Sequence, residues 1–151
     1  MEVYLVQHAE AKSEEEDPER GLTDKGFNDM EKAAAFLKAS GVKAAEAFHS
    51  GKKRALQTAE VLSRRLKCSA SQKDGLSPMD DPNIWRERVE GAQGNLMLVG
   101  HMPHLGRLSA LLLAGDSDKS IIDFRMGSVV CLRRKEAGWA VAWMITPEIV
   151  R

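Results

Sequence analysis

The sequence predicts an α/β fold: a three-layer α/β/α sandwich with a mainly parallel central sheet and an antiparallel hairpin at its C-terminal end. Short apolar runs alternate with stretches of helical spacing, the pattern of strand and crossover units in a parallel sheet. The last two apolar runs instead flank turn residues with no helix between them. A chain of 151 residues can close one hydrophobic core, so residues 1–151 are expected to form a single domain.

Residues 2–6 (EVYLV) are apolar, β-branched and too short for a helix, which reads as a buried central strand that delivers His8 to its C-terminal end. An acidic stretch from Glu14 to Glu19 follows and reads as a solvated loop. Thr23 is placed to cap a helix, with Leu22 and Phe27 spaced to pack across its entrance. Phe27, Met30, Ala34 and Leu37 continue one helical face, and Gly41 ends it. A brief strand over 47–49 should lead through Ser50-Gly51 into a second helix with a stripe of Leu56, Ala59, Leu62 and Leu66. Residues 73–82 read as a long loop and 83–90 as a short helix. The run NLMLV, 95–99, is a further buried strand; after Gly100-His101 and Pro103, residues 104–113 have helical spacing. Residues 129–132 and 139–145 flank Glu136-Ala137-Gly138 as the closing hairpin.

The 22 basic and 22 acidic residues cancel, leaving no basic stripe of the kind that drives nucleic-acid binding or attraction to anionic membranes. Neither nucleic acid nor membrane is expected as a partner. Cys68 and Cys131 are far apart and belong to no metal or redox motif, so no disulfide framework is expected. With no leader-like segment and no long apolar run, the expected location is the cytoplasm.

In open parallel sheets ligands bind beyond the carboxyl ends of the strands, and His8, Ser50 and His101 each follow an expected strand directly. Arg54, within R-A-L-Q-T-A, falls at the start of a helix, where the dipole and free N–H groups already favour an anion and a guanidinium adds a bidentate clamp. Gln57 and Thr58 are read as structural support. The pair His101 and His104 with His8 lacks a firmly placed fourth ligand for zinc, so no metal is expected.

The runs LVQHAEA, SGKKRALQTAE and LVGHMPHL occur in that order, and together they resemble the histidine phosphatase superfamily, phosphoglycerate mutase-like in fold. QHAEA followed by RGLTDKG resembles its SixA-type phosphohistidine phosphatase branch. The resemblance implies that His8 is a nucleophile carrying the phosphoryl group, that Arg54 and His101 stabilise its oxygens, and that no cofactor is used. It implies as substrate a phosphohistidine-containing protein or a small phosphorylated molecule, and a monomer is expected. A phosphate-binding domain without turnover is the alternative from another class.

Several positions depart from the family pattern. Gln7 and Ala9 stand where Arg and Gly flank the histidine, which removes a charge from the phosphate site and adds a Cβ beside it. Gly51 stands where proline is common and Met102 where a polar residue is common. Gln7 and Ser50 are candidate substrate-binding residues, although Ser50 reads better as a cap for the next helix. Arg20, Lys52 or Lys53 could replace the missing charge, and Glu10, ahead of Asp17, is the candidate general acid.

Overall fold

The computed structural model describes residues 1–151. The chain runs β1 (Glu2–Gln7), α1 (Asp24–Ala39), β2 (Glu46–His49), α2 (Lys53–Leu66), β3 (Ser69–Gln72), α3 (Pro82–Gly91), β4 (Leu96–Gly100), α4 (His104–Ala114), β5 (Val129–Lys135) and β6 (Gly138–Ile145). The six strands form one sheet in the order β3-β2-β4-β1-β5-β6. Pairings β2–β3, β2–β4 and β1–β4 are parallel, whereas β1–β5 and β5–β6 are antiparallel, so the expected mainly parallel sheet with a late hairpin is present.

The pleat of the central strands divides the core into two layers. Tyr4 and Val6 of β1, with Met97 and Val99 of β4, face a cluster built on α1 and α2. Val3 and Leu5, with Leu98, face a second cluster that takes in Trp85 and Val89 of α3 and Leu105 and Leu108 of α4. Burial on both faces explains why β1 and β4 read as continuous apolar runs rather than alternating ones.

Thr23 caps α1, its hydroxyl oxygen accepting the Gly26 N–H at 3.0 Å. The entrance differs from expectation at Phe27, which is 36% exposed and belongs to neither cluster. Gly26 takes the buried position instead, because the α1 entrance lies against Glu10: a Cβ on Gly26 would collide with the Glu10 carbonyl oxygen. At the other end Gly41, with φ 78°, donates to Lys38 O while Val42 donates to Leu37 O, closing the helix with a left-handed glycine as expected. Strand β3 was not foreseen. Its four residues, SASQ, are all exposed at the sheet edge and carry no apolar alternation. The hairpin turn is also tighter than expected, with Gly138 already paired to Lys135 in β6.

Replacing Gly26 by Ala should destabilise the chain by about 1–3 kcal/mol, as overpacking against rigid backbone does. Thermal unfolding should show a melting temperature lower by several degrees, and an unchanged value would mean that the α1 entrance can move off Glu10.

Candidate active site

In the parallel β1–β4 pair Gln7 lies opposite Gly100, so the next residue of each strand, His8 and His101, leaves the sheet beside the other. The ladder runs one bond further, from His8 N–H to Gly100 O at 3.0 Å, and the two imidazole centroids stand 5.1 Å apart. On the other side of β4, His49 is opposite Val99, which brings Ser50 level with the same sheet end. Its Oγ lies 2.7 Å from His101 Nε2.

His8 Nδ1 is 2.8 Å from the carbonyl oxygen of Ala9. A carbonyl can only accept, so Nδ1 carries the proton and the Nε2 lone pair of the neutral ring is left free. Burial pushes the His8 pKa down to about 4, against the opposing Ala9 hydrogen bond and with Arg54 and Arg20 acting in the same direction. The ring is therefore neutral at pH 7. His101 is pushed down to about 3, first by burial and then by the charges of His8, Arg54 and Lys52, and its Nδ1 is buried without a partner.

Arg54 stands in the first turn of α2, and its Nε is likewise buried without a partner. Burial and the positive charge of Arg20 lower the basicity of its guanidinium. Arg20 comes from the acidic loop through a left-handed residue, φ 52°, with its Nε donating to Lys12 O at 3.1 Å. Arg20, Lys52 and Arg54 line a cleft of about 690 Å³ whose apolar side chains are Leu56 and Pro18. Lys53, on the same wall, donates to Glu19 at 3.1 Å. Glu14 and Glu19 share the wall, but neither pairs with Arg54, and Arg20, Lys52 and Arg54 act on the neutral imidazoles of His8 and His101, an arrangement that suits a tetrahedral anion.

The R-A-L-Q-T-A run supports this arrangement through its polar members. Thr58 Oγ1 donates to Arg54 O at 2.7 Å and accepts the Ala9 N–H at 3.1 Å, tying the residue after His8 to the helix that carries Arg54. Gln57 Oε1 accepts the Leu22 N–H at 2.8 Å and ties down the far end of the acidic loop. Ala9 is fully buried and lies outside the positive-φ residues, so its Cβ adds no backbone strain.

Two expectations change here. Ser50 is not the capping residue of α2: that position is Lys52, without a side-chain cap, and the Ser50 Oγ accepts the Lys52 N–H at 3.3 Å just ahead of the helix while lying against His101 Nε2. Gly51 adopts φ 89° and donates its N–H to His49 Nδ1 at 3.1 Å, two things proline cannot do, so the departure at this position gives the loop another path.

Gln7 and Glu10 lie apart from Arg20 and Arg54, lining a second cavity of about 400 Å³ that also contains Arg125. Glu10 Oε2 accepts the Thr23 hydroxyl at 2.6 Å. Arg125 was not found from the sequence, since an isolated arginine in a segment without periodicity carries no signal of what it faces. His104 is fully buried within α4, and no three His, Cys, Asp or Glu side chains gather into a metal-holding group.

The family model described as "Histidine phosphatase superfamily (branch 1)" matches residues 3–81, which include His8 and Arg54. The chain belongs to the histidine phosphatase superfamily. An uncharacterised protein of Picosynechococcus sp. is 30% identical over 141 residues, covering 88% of this chain and 85% of that one. Among solved structures the fold is similar to the protein histidine phosphatase SixA complexed with tungstate, with a TM-score of 0.87, 24% identity and full coverage of both chains. It is also similar to the alpha-ribazole phosphatase of Shigella flexneri, at TM-score 0.79, 12% identity and 97% of each chain. A phosphoserine phosphatase mutant of Entamoeba histolytica gives 0.75, with 11% identity over 97% of this chain and 98% of that one. At these identities the structural likenesses establish the fold of the superfamily, whose members are phosphatases, and leave the substrate open. No helix is long and apolar enough to cross a membrane.

His8, His101 and His104 are all pushed below the ordinary value of 6.5, His104 to about 4 and chiefly by burial. Across the interval from 6.5 down to about 4 the unfolded chain binds more protons than the folded one, so stability is full above 6.5 and falls as the pH is lowered. Urea denaturation across this range should show a falling midpoint, with a shallower fall in His104→Leu; a flat profile in the parent chain would contradict buried neutral histidines.

Proposed function

We propose that the chain is a metal-independent phosphohistidine phosphatase that works through a covalent phosphohistidine on His8. The free Nε2 lone pair of His8, fixed by the Nδ1–H bond to Ala9 O, carries this reading. Nε2 attacks phosphorus as the bond to the leaving group breaks, and the positive charge that develops on the ring is held by the Nδ1–H bond to the carbonyl. Arg54 and His101 donate to the phosphoryl oxygens, where charge accumulates through both transfers. Water then attacks the phosphohistidine, inorganic phosphate leaves, and the neutral ring returns.

Two observations favour a protein-borne phosphoryl group. The cleft wall carries Leu56 and Pro18 among mostly charged residues, so it offers little apolar surface to a small organic leaving group. The connection from β2 to α2 is only Ser50 to Lys52, so that side of the cleft has no inserted segment, while the longer 8–23 connection supplies Arg20 to its wall. A phosphohistidine leaving group is itself an imidazole with a pKa of about 6.5, which can depart protonated and asks little of a general acid. We assign proton donation to Glu10, on the Gln7 flank of His8, for leaving groups that need it.

With a phosphohistidine protein and an aryl phosphate as paired substrates, His8→Ala should lose at least about 10³-fold in kcat on both and fail to trap phosphate in mildly alkaline mass spectrometry. Arg54→Ala should lose roughly 10²–10³-fold. Undiminished turnover by His8→Ala would sink the mechanism. Glu10→Gln should slow the aryl phosphate more than phosphohistidine, and equal losses would remove Glu10 from the acid role. A parent chain inert on both substrates but active as Gln7→Arg would make it a phosphate-binding domain.

A further inference from the structure

Position 7 carries an amide where the superfamily pattern has a guanidinium, so one flank of His8 lacks a charge. The structure brings another cation to that flank. Residues 124–128 form a tight turn before β5, in which Ser128 N–H donates to Arg125 O at 2.9 Å and Arg125 N–H donates to Ser128 Oγ at 2.8 Å. The turn is locked to the end of β1: Gly127 N–H is shared between Gln7 O and His8 O, both at 3.1 Å, and Gln7 N–H donates to Ser128 O at 3.2 Å. Arg125 is two residues from Gly127, which puts its Cα within about 7 Å of a glycine bonded to the Gln7 and His8 carbonyls.

Arg125 and Gln7 line the same cavity of about 400 Å³. The other charged groups on its walls are largely committed. Lys25 and Asp29 are paired at 2.7 Å, Glu10 accepts the Thr23 hydroxyl, and the Glu148 carboxylate is held first by Thr146, with Arg125 and Lys25 adding to its stabilisation. Arg125 itself has one ion pair, with Asp123 at 3.8 Å, between side chains 61% and 89% exposed, and such a pair contributes little. Gln7 Oε1, in the same wall, is buried without a donor. A guanidinium has donors enough to satisfy that oxygen and an anion together.

We propose that Arg125 is the anion-binding residue on the Gln7 flank of His8. Its guanidinium turns from Asp123 into the cavity, donates to Gln7 Oε1 and takes one oxygen of the bound phosphoryl group, so that charge absent from β1 arrives from the turn before β5. The assignment rests on the phosphatase reading of His8 and Arg54.

Binding of inorganic phosphate by calorimetry, which needs the anion site but no turnover, tests it in the parent and in Arg54→Ala, Arg125→Ala, Arg125→Lys, Gln7→Arg and the double variant Gln7→Arg/Arg125→Ala. Arg125→Ala should weaken phosphate by about tenfold or more, as loss of a charge-assisted hydrogen bond does, and Arg125→Lys should recover part of it. In the Gln7→Arg background the same alanine substitution should change affinity less than about twofold, because the charge is then supplied from β1; a merely structural loosening of the turn would weaken both backgrounds alike and overturn the proposal. Phosphate affinity unchanged in Arg125→Ala but lost in Arg54→Ala would overturn the Arg125 assignment alone. No phosphate binding by the parent would overturn it together with the phosphatase reading.

Discussion

The parallel pairing of β1 with β4 is the constraint from which the site follows. A parallel ladder fixes register residue by residue, and with Gln7 opposite Gly100 the two histidines must emerge together, one strand spacing apart. A slip of one residue would turn Tyr4 and Val6 toward the wrong helix pair, so the two-sided core that stabilises the sheet also fixes the distance between His8 and His101. Fold stability and site geometry are thus set by the same hydrogen bonds. The turn over 124–128 closes on the strand end through the carbonyls of Gln7 and His8, so the antiparallel side of the sheet is indexed to the nucleophile as well.

The electrostatics of the site depend on keeping two kinds of group apart. The histidines are buried and neutral, while Arg20, Lys52 and Arg54 stay on the cleft wall without a carboxylate on Arg54. An acidic partner for Arg54 would lessen the like-charge repulsion with Arg20 and would also fill the place of an incoming anion. The carboxylates of the loop are drawn to Lys53 and to backbone N–H groups instead: Asp17 accepts from Gly21 and Glu19, and Glu19 pairs with Lys53.

Most of this organisation is written locally in the chain. β1 and β4 are legible because burial on both faces leaves uninterrupted apolar runs, and α1 because Thr23 and Gly41 mark its ends with hydrogen bonds that the structure contains. His8, Ser50, Arg54 and His101 could be singled out because each follows a strand or opens a helix, and the structure gathers them at one end of the sheet. What could not be read depends on contacts distant in sequence. Phe27 fits the helical stripe, yet Glu10 lies against the α1 entrance and only the adjacent glycine fits there. β3 is polar and exposed and is held by pairing alone. Arg125 stands more than a hundred residues from Gln7, and only the folded sheet puts both in one cavity. The contact of the Ser50 hydroxyl with His101 was unreadable for the same reason, since the β2–β4 register lies outside any local window.

Arg20 lines the cleft with its backbone left-handed, a conformation that disfavours a residue with a Cβ by about 1–3 kcal/mol. That energy is stored in residues 12–22, whose far end is held to α2 through the Gln57 amide, with Lys12 and Gly21 paired across its base. The contacts that offset this strain, the Gln57 amide and the pairing of Lys53 with Glu19, also fasten the loop to the helix of Arg54, so the two guanidiniums of one cleft are carried by separate segments joined to each other.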